Sequence, residues 1–279
     1  MDKKALIQMI ICSVLWSIAG VIIKFVDCNA VVVAGMRSLF AVITIYIFMK
    51  VTRRKVYINT NILSAAAVMC ISFIAFVSAN KLTAAANAIV LQYTQPVFIV
   101  IISLLFFKKH FLRADIAAII FTFIGIALFF VDGLAPGNIF GNILAVLGGV
   151  MLAVLFVLMG EFSEAERMNT ILFGHLFTAA IGVPFALFTE NVFDLKSVGL
   201  LAVLGIFQIG IPYILFATAV GKCSALTCSL IGVIEPILNP VWVAVFYGEI
   251  PGTVSLIGCG VVLITVTLWC VYKNKLSEV

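Results

Sequence analysis

Stretches of about twenty hydrophobic positions, separated by only a few polar ones, run along the chain from residue 5 onward. That length crosses a hydrocarbon core roughly 30 Å thick. Ten spans are predicted, near 5–26, 30–49, 59–79, 84–107, 114–131, 138–159, 169–189, 197–219, 224–246 and 253–272. The longest connections, near 50–58 and 160–168, have about nine residues and leave no room for a soluble domain. The fold class this pattern predicts is all-α integral membrane with ten transmembrane helices. After its apolar stretch the opening segment "MDKKALIQMI" has no small-residue cleavage site, so 5–26 is expected to be a retained first span.

Composition agrees with the pattern. Of 279 residues, 64% are hydrophobic and 10% charged, against roughly 25% charged in soluble domains. No soluble fold of this size hides so much apolar surface. The net charge of +5 is not a nucleic-acid footprint, because its distribution follows the spans. With a cytoplasmic N-terminus, the inner segments carry Lys3, Lys4, Lys50, Arg53, Arg54, Lys55, Lys108, Lys109, Arg113, Arg167, Lys222, Lys273 and Lys275. The outer loops carry only Lys81 and Lys196. This positive-inside bias predicts a multi-pass protein of the cytoplasmic (inner) membrane with both termini cytoplasmic. The seven cysteines are odd in number, scattered and without a CxxC pair, so they read as small apolar packing residues rather than bridges or metal ligands. The "GKCS" at 221–224 resembles the end of a phosphate loop, but position 216 is Phe where that loop needs Gly. Without a nucleotide-binding domain, uphill movement would draw on an ion or solute gradient.

Five spans per half is an odd number, so a duplication would insert its second copy upside down. Residues 1–137 are expected to form the first five-helix repeat and 138–279 the second. Placing Pro96 over Pro236, 140 residues apart, also puts Phe106-Phe107 over Phe246-Tyr247 and Ala85 over Ala225. Inverted repeats are a common plan for secondary transporters, whose sites lie at the repeat interface near the midplane.

Polar residues at bilayer depth are costly and face a cavity or a partner. Trp16, Gln95, Gln208 and Glu235 each fall about eleven residues into their spans, close to the midplane at 1.5 Å per residue. Glu235 is the strongest candidate. A low-dielectric surround disfavours its charged form, so it can hold a proton in one state and receive a substrate amine in another; the bland alternative is a protonated brace between helices. Gln92 and Tyr93 precede Gln95, and Asn239 stands one turn after Glu235. These polar groups line a cavity or hydrogen-bond between helices. Trp16 could stack on a ligand or serve as packing. Pro96, Pro212, Pro236 and Pro240 predict kinks; Pro236 removes the donor to the carbonyl of Gly232, and Pro240 the donor to that of Pro236.

Three cationic or titratable candidates are secondary. Lys24 can snorkel to the headgroups. Arg37 calls for a partner: Asp27, a carbonyl or an anionic substrate group. His175 could relay protons or sit neutral and buried.

The segment "EPILNPVWVAVFYGEIPGTVSLIGCGVVLITVTL" (235–268) resembles the second repeat of the EamA family of the drug/metabolite transporter superfamily. "LWSIAGVIIKFVDCNAVVVAGMRSLFAV" (15–42) is similar to that family's opening, with Lys24 and Arg37 at matching positions. The resemblance covers the whole chain in span number, length and orientation. It implies a ten-helix inverted-repeat carrier whose central cavity alternates between the two sides, in a family that exports and sometimes imports amino acids and other small metabolites. One departure is "FFKKH" at 106–110, where the family often has an acidic residue, so the two halves are not expected to act symmetrically.

The expected function is therefore secondary transport, by export, of small metabolites such as amino acids or related amines. The expected partners are that substrate and the lipid bilayer, with no nucleic acid, in a monomer or homodimer. No cofactor or metal is expected beyond proton coupling. An intramembrane lipid-processing enzyme would need a GxSG, GxGD or HExxH motif, and the chain has none. A channel or lipid flippase would want a polar stripe along one helix, whereas here the polar residues are isolated.

Overall fold

The computed structural model describes residues 2–83, 85–129, 131, 138–247 and 252–276. Within those ranges some side chains, those of Lys24, Asn239 and Pro240 among them, fall outside the description, and Glu249 lies outside the ranges altogether. Among the described residues there is no strand. The helices are α1 (Lys3–Trp16), α2 (Ala19–Lys24), α3 (Ala30–Val51), α4 (Thr60–Leu82), α5 (Ala85–Gln92), α6 (Gln95–Phe107), α7 (Arg113–Phe129), α8 (Ile139–Glu161), α9 (Glu164–Phe185), α10 (Leu195–Val203), α11 (Ile211–Ala219), α12 (Ala225–Gly232), α13 (Ile234–Tyr247) and α14 (Thr253–Leu276). Among the described residues six stretches are long and apolar enough to cross a bilayer: Ala30–Val51, Thr60–Leu82, Ala88–Phe107, Ile139–Glu161, Glu164–Phe188 and Leu195–Ala219. The all-helical membrane architecture is thus as the hydrophobic pattern predicts.

The few polar residues are spent largely at helix ends. Asp2, Asn29, Asn59, Asn138, Ser163, Asp194 and Ser224 each accept a hydrogen bond from a first-turn N–H of the following helix. Ser163 and Glu166 form a reciprocal capping box. Such caps satisfy donors that the helix itself leaves orphaned. Elsewhere the outer surface is apolar: Leu105, Phe106, Ile139, Leu187, Phe188 and Leu195 are all more than two-thirds exposed, a surface suited to lipid rather than water.

Small residues set the closest approaches inside. Gly35 of α3 and Gly182 of α9 meet backbone to backbone, and a Cβ on either would overlap the other's main chain. Close contact of this kind drives helix association where lipid offers no hydrophobic advantage. α4 packs on both α8 and α9, α1 packs on α11, and α7 packs on α14.

Four interruptions break these rods. α5 ends at Gln92 and α6 begins at Gln95; α12 ends at Gly232 and α13 begins at Ile234. Each break lies just before a proline, Pro96 or Pro236, which lacks the N–H that would bond four residues back and disfavours helix at the residue before it. A third, Leu204–Gly210, is a π-helical stretch ahead of Pro212 in the first turn of α11; such widened turns recur at functional sites. The fourth, at Ser17-Ile18, has no proline. Ser17 Oγ instead donates to the carbonyl of Val14 at 2.6 Å and accepts from Trp242 Nε1 at 2.7 Å, a back-bonded serine that bends a helix. The expected single rod over 5–26 is therefore two helices. The backbone of α13 continues through Pro240.

Candidate functional site

Each interruption delivers a polar group to one partly enclosed cavity of about 60 Å³, room for a few waters. Trp16 ends α1, Tyr93 occupies the α5–α6 break, Gln208 lies in the π stretch, and Gly232 and Glu235 flank the α12–α13 break; all line the cavity. Arg37 of α3 and the amides of Gln92 and Gln95 complete its polar lining, with Ser72 and Ser229. The expected set of Trp16, Gln92, Tyr93, Gln95, Gln208 and Glu235 thus converges. Gln92 and Gln95 do not share one helical face, because the helix breaks between them, yet both reach the cavity.

The geometry divides the cavity into two poles. At one, the Tyr93 hydroxyl lies 2.9 Å from Glu235 Oε2 and 3.1 Å from the carbonyl oxygen of Gly232. That carbonyl is the one Pro236 leaves without a helical donor. Glu235 is half-buried, and it presents its carboxyl to the cavity wall.

At the other pole stands Arg37, 2% exposed. Its guanidinium donates to Gln208 Oε1 at a long 3.4 Å and lies 5.8 Å from the centre of the Phe73 ring. Gln208 Nε2 in turn donates to the Trp16 carbonyl at 3.4 Å. Asp27 is not its partner, contrary to one sequence expectation. Asp27 precedes α3, and its main-chain oxygen accepts from Val192 N. Arg37 sits seven residues into the helix, about 10 Å further along the axis. Among the described residues no carboxylate lies within ion-pairing distance of Arg37. Four buried polar atoms of lining residues, Arg37 Nε, Trp16 Nε1, Gln95 Nε2 and Ser229 Oγ, have no hydrogen-bond partner among those residues. Leaving such groups unmade costs about 1–3 kcal/mol each, and all four belong to residues that line the one cavity.

Apolar walls close the rest. Trp16 packs on Tyr213 and Phe216, with ring centres 5.3 and 6.0 Å apart, and Tyr213 packs edge-on against Phe73 at 5.3 Å. Trp16 is therefore both packing and lining. Fully buried His175 lies behind this wall rather than in it: Nδ1 is 3.3 Å from Ser38 Oγ, and the ring contacts Phe73 and Tyr213. Sequence reasoning missed the lining residues Ser72, Phe73, Phe76, Leu152, Phe156, Ile209, Tyr213 and Ser229. Only Tyr213, a phenol directly after Pro212, carried a signal that could have exposed it.

Among the described residues no group of three or more His, Cys, Asp or Glu side chains is arranged to hold a metal ion. No curated protein matches the sequence. A solved structure described only as "Crystal structure of protein" superposes with a TM-score of 0.83 at 16% identity, covering 99% of both chains, which establishes a shared fold. The profile described as "EamA-like transporter family" matches twice, over residues 3–131 and again over 139–270. The chain therefore belongs to the EamA-like transporter family and is a membrane transporter of the drug/metabolite transporter superfamily.

Proposed function

We propose that this transporter carries small zwitterionic metabolites, amino acids or related amines, outward across the cytoplasmic membrane by alternating access. One observation carries the reading: Arg37 and Glu235 line the same cavity without pairing to each other. Two opposite charges held apart at depth are expensive. A guest with a carboxylate at one end and an ammonium at the other neutralises both. Lining residues Trp16, Gln95 and Ser229 add further unpartnered polar groups to this setting.

In this reading the chain is two inverted five-span repeats, 1–137 and 138–279, with the cavity between them. Counting α1–α2, α5–α6, α10–α11 and α12–α13 as broken single spans gives ten. Supporting the repeat, the breaks after Gln92 and Gly232 are 140 residues apart, the same offset as Pro96 and Pro236. Helix packing also comes in mates under a five-span shift: α4 on α8 matches α11 on α1, and α4 on α9 matches α3 against the π stretch that precedes α11. Three ion pairs, Arg54–Glu164, Lys109–Glu161 and Lys222–Asp2, lie at ends assigned to the cytoplasm. Each joins one half to the other. No cofactor is required, and the proton is the coupling ion.

The test is counterflow in proteoliposomes loaded with unlabelled amino acids and amines, with and without an imposed pH gradient. Exchange of labelled zwitterions, with weaker exchange of compounds lacking either charge, supports the reading. Exchange confined to neutral or purely anionic solutes would overturn it.

A further inference from the structure

The Tyr93 hydroxyl has one hydrogen and two acceptors within reach, Gly232 O at 3.1 Å and Glu235 Oε2 at 2.9 Å. Proton bookkeeping at these three groups gives one arrangement that satisfies all of them and one that leaves the carbonyl open. With Glu235 protonated, the carboxyl O–H donates to Tyr93 Oη, and Tyr93 donates to Gly232 O. With Glu235 ionised, the carboxylate takes the Tyr93 hydrogen, the carboxyl proton leaves to cavity water, and Gly232 O is left open. Pro236 makes this second outcome real, because position 236 has no N–H to re-cover that carbonyl.

We infer that Tyr93 is a proton-linked latch over the Gly232 carbonyl, releasing it as a second acceptor for a substrate ammonium only when Glu235 is ionised. The inference rests on the transport reading only for the identity of the guest. An ammonium has three hydrogens to offer. The free oxygen of the Glu235 carboxylate and the released carbonyl give it two acceptors at one cavity wall. Proton and amine then exclude each other twice, through charge at Glu235 and through occupancy of the Gly232 oxygen. Tyr93 is in this sense a positioning residue.

The groups facing the carboxyl are few. Tyr93 bonds to it, Arg37 of α3 and Tyr213 of α11 lie across the cavity, and Cys12 of α1 is within electrostatic range while its thiol donates to the carbonyl of Pro212. α8 presents Leu152 and Phe156 to the cavity, and α4 presents Ser72, Phe73 and Phe76. The Lys24 side chain on α2 is not described.

Infrared pH-difference spectroscopy on the full chain in lipid reads the latch directly. Protein carrying glycine labelled with carbon-13 at the carbonyl is titrated, and the Gly232 band is assigned by its loss in Gly232→Ala, where a Cβ meets open space. The expected result is that this band moves to higher wavenumber in step with loss of the carboxylic-acid band, and that Glu235→Gln abolishes both changes. In Tyr93→Phe the carbonyl band should stay at the free position at every pH. In Pro236→Ala, whose new N–H covers the carbonyl, it should stay at the bonded position while the carboxyl still titrates. Ethylammonium added at high pH should pull the wild-type band back. A Gly232 band that does not move as the carboxyl titrates, or that moves equally in Tyr93→Phe, overturns the latch. None of these readouts requires transport, so their failure is distinct from failure of the zwitterion reading.

Discussion

Replacing Arg37 by Gln separates a brace from a binding group by the sign of two effects. A guanidinium paired with a buried carboxylate would cost about 3–5 kcal/mol to remove, because the partner charge is stranded. Arg37 has no such partner among the described residues. Its contacts are one 3.4 Å hydrogen bond to Gln208 and a ring 5.8 Å away, and its Nε is unpartnered. Removing it therefore relieves a charge held at 2% exposure and strands only the Gln208 carbonyl oxygen, a neutral group. The two terms nearly cancel, so thermal stability in detergent should be unchanged or raised. Affinity moves the other way. A hydrogen bond to a charged group is worth about 1.5–3 kcal/mol, or about 10–150-fold in Kd, and the fork makes more than one such contact. Counterflow with a labelled amino acid measures the affinity, and thermal unfolding of the same preparation measures the stability. Loss of the folded protein with affinity intact in what survives would refute the assignment.

Two other perturbations follow from the same geometry. Glu235→Gln keeps the hydrogen bond to Tyr93 but cannot ionise, so the pH dependence of exchange should flatten while the protein still folds; an unaltered pH profile in proteoliposomes would remove the carboxyl from proton coupling. Gly182→Val forces a branched side chain into the main chain of Gly35 and Val31, which cannot yield as a side chain can. It should cost at least the ~1–3 kcal/mol of ordinary overpacking, read as a lowered thermal midpoint, and an undiminished midpoint would mean α3 and α9 cross less closely.

What the sequence revealed of the site depended on chemical contrast. Glu235, Gln95 and Gln208 stand out because a polar group in an apolar span must be compensated somewhere, and adjacent prolines mark where the backbone opens. Phe73, Phe156 and Ile209 line the same cavity, but an apolar side chain looks alike whether it faces a void, a neighbouring helix or lipid. The break at Ser17 was hidden for another reason. Its second partner is Trp242, 225 residues away, and no local pattern announces a tertiary hydrogen bond. Arg37 was found correctly and given a wrong candidate partner. Asp27 is near it in sequence, but two turns of helix carry the guanidinium away from it and toward Gln208 on the opposite half of the chain.

The division of labour across the cavity explains why the two halves have diverged around a shared plan. Of the unpartnered polar atoms on lining residues, Arg37 Nε, Trp16 Nε1 and Gln95 Nε2 come from before 137, whereas Ser229 Oγ, Glu235 and the uncovered carbonyl of Gly232 come from after it. The matching breaks give each half a place where a proline opens the backbone. The first half fills that place with an amide, at Gln95, and the second fills it with an acid. A symmetric pair of acids would repel across 60 Å³ and would suit a dication. A cation from one half, Arg37, opposite an acid from the other, Glu235, suits a dipolar guest that touches both. Such a guest favours an arrangement with the two halves drawn together around it, which is the coupling that the proposed alternating access needs.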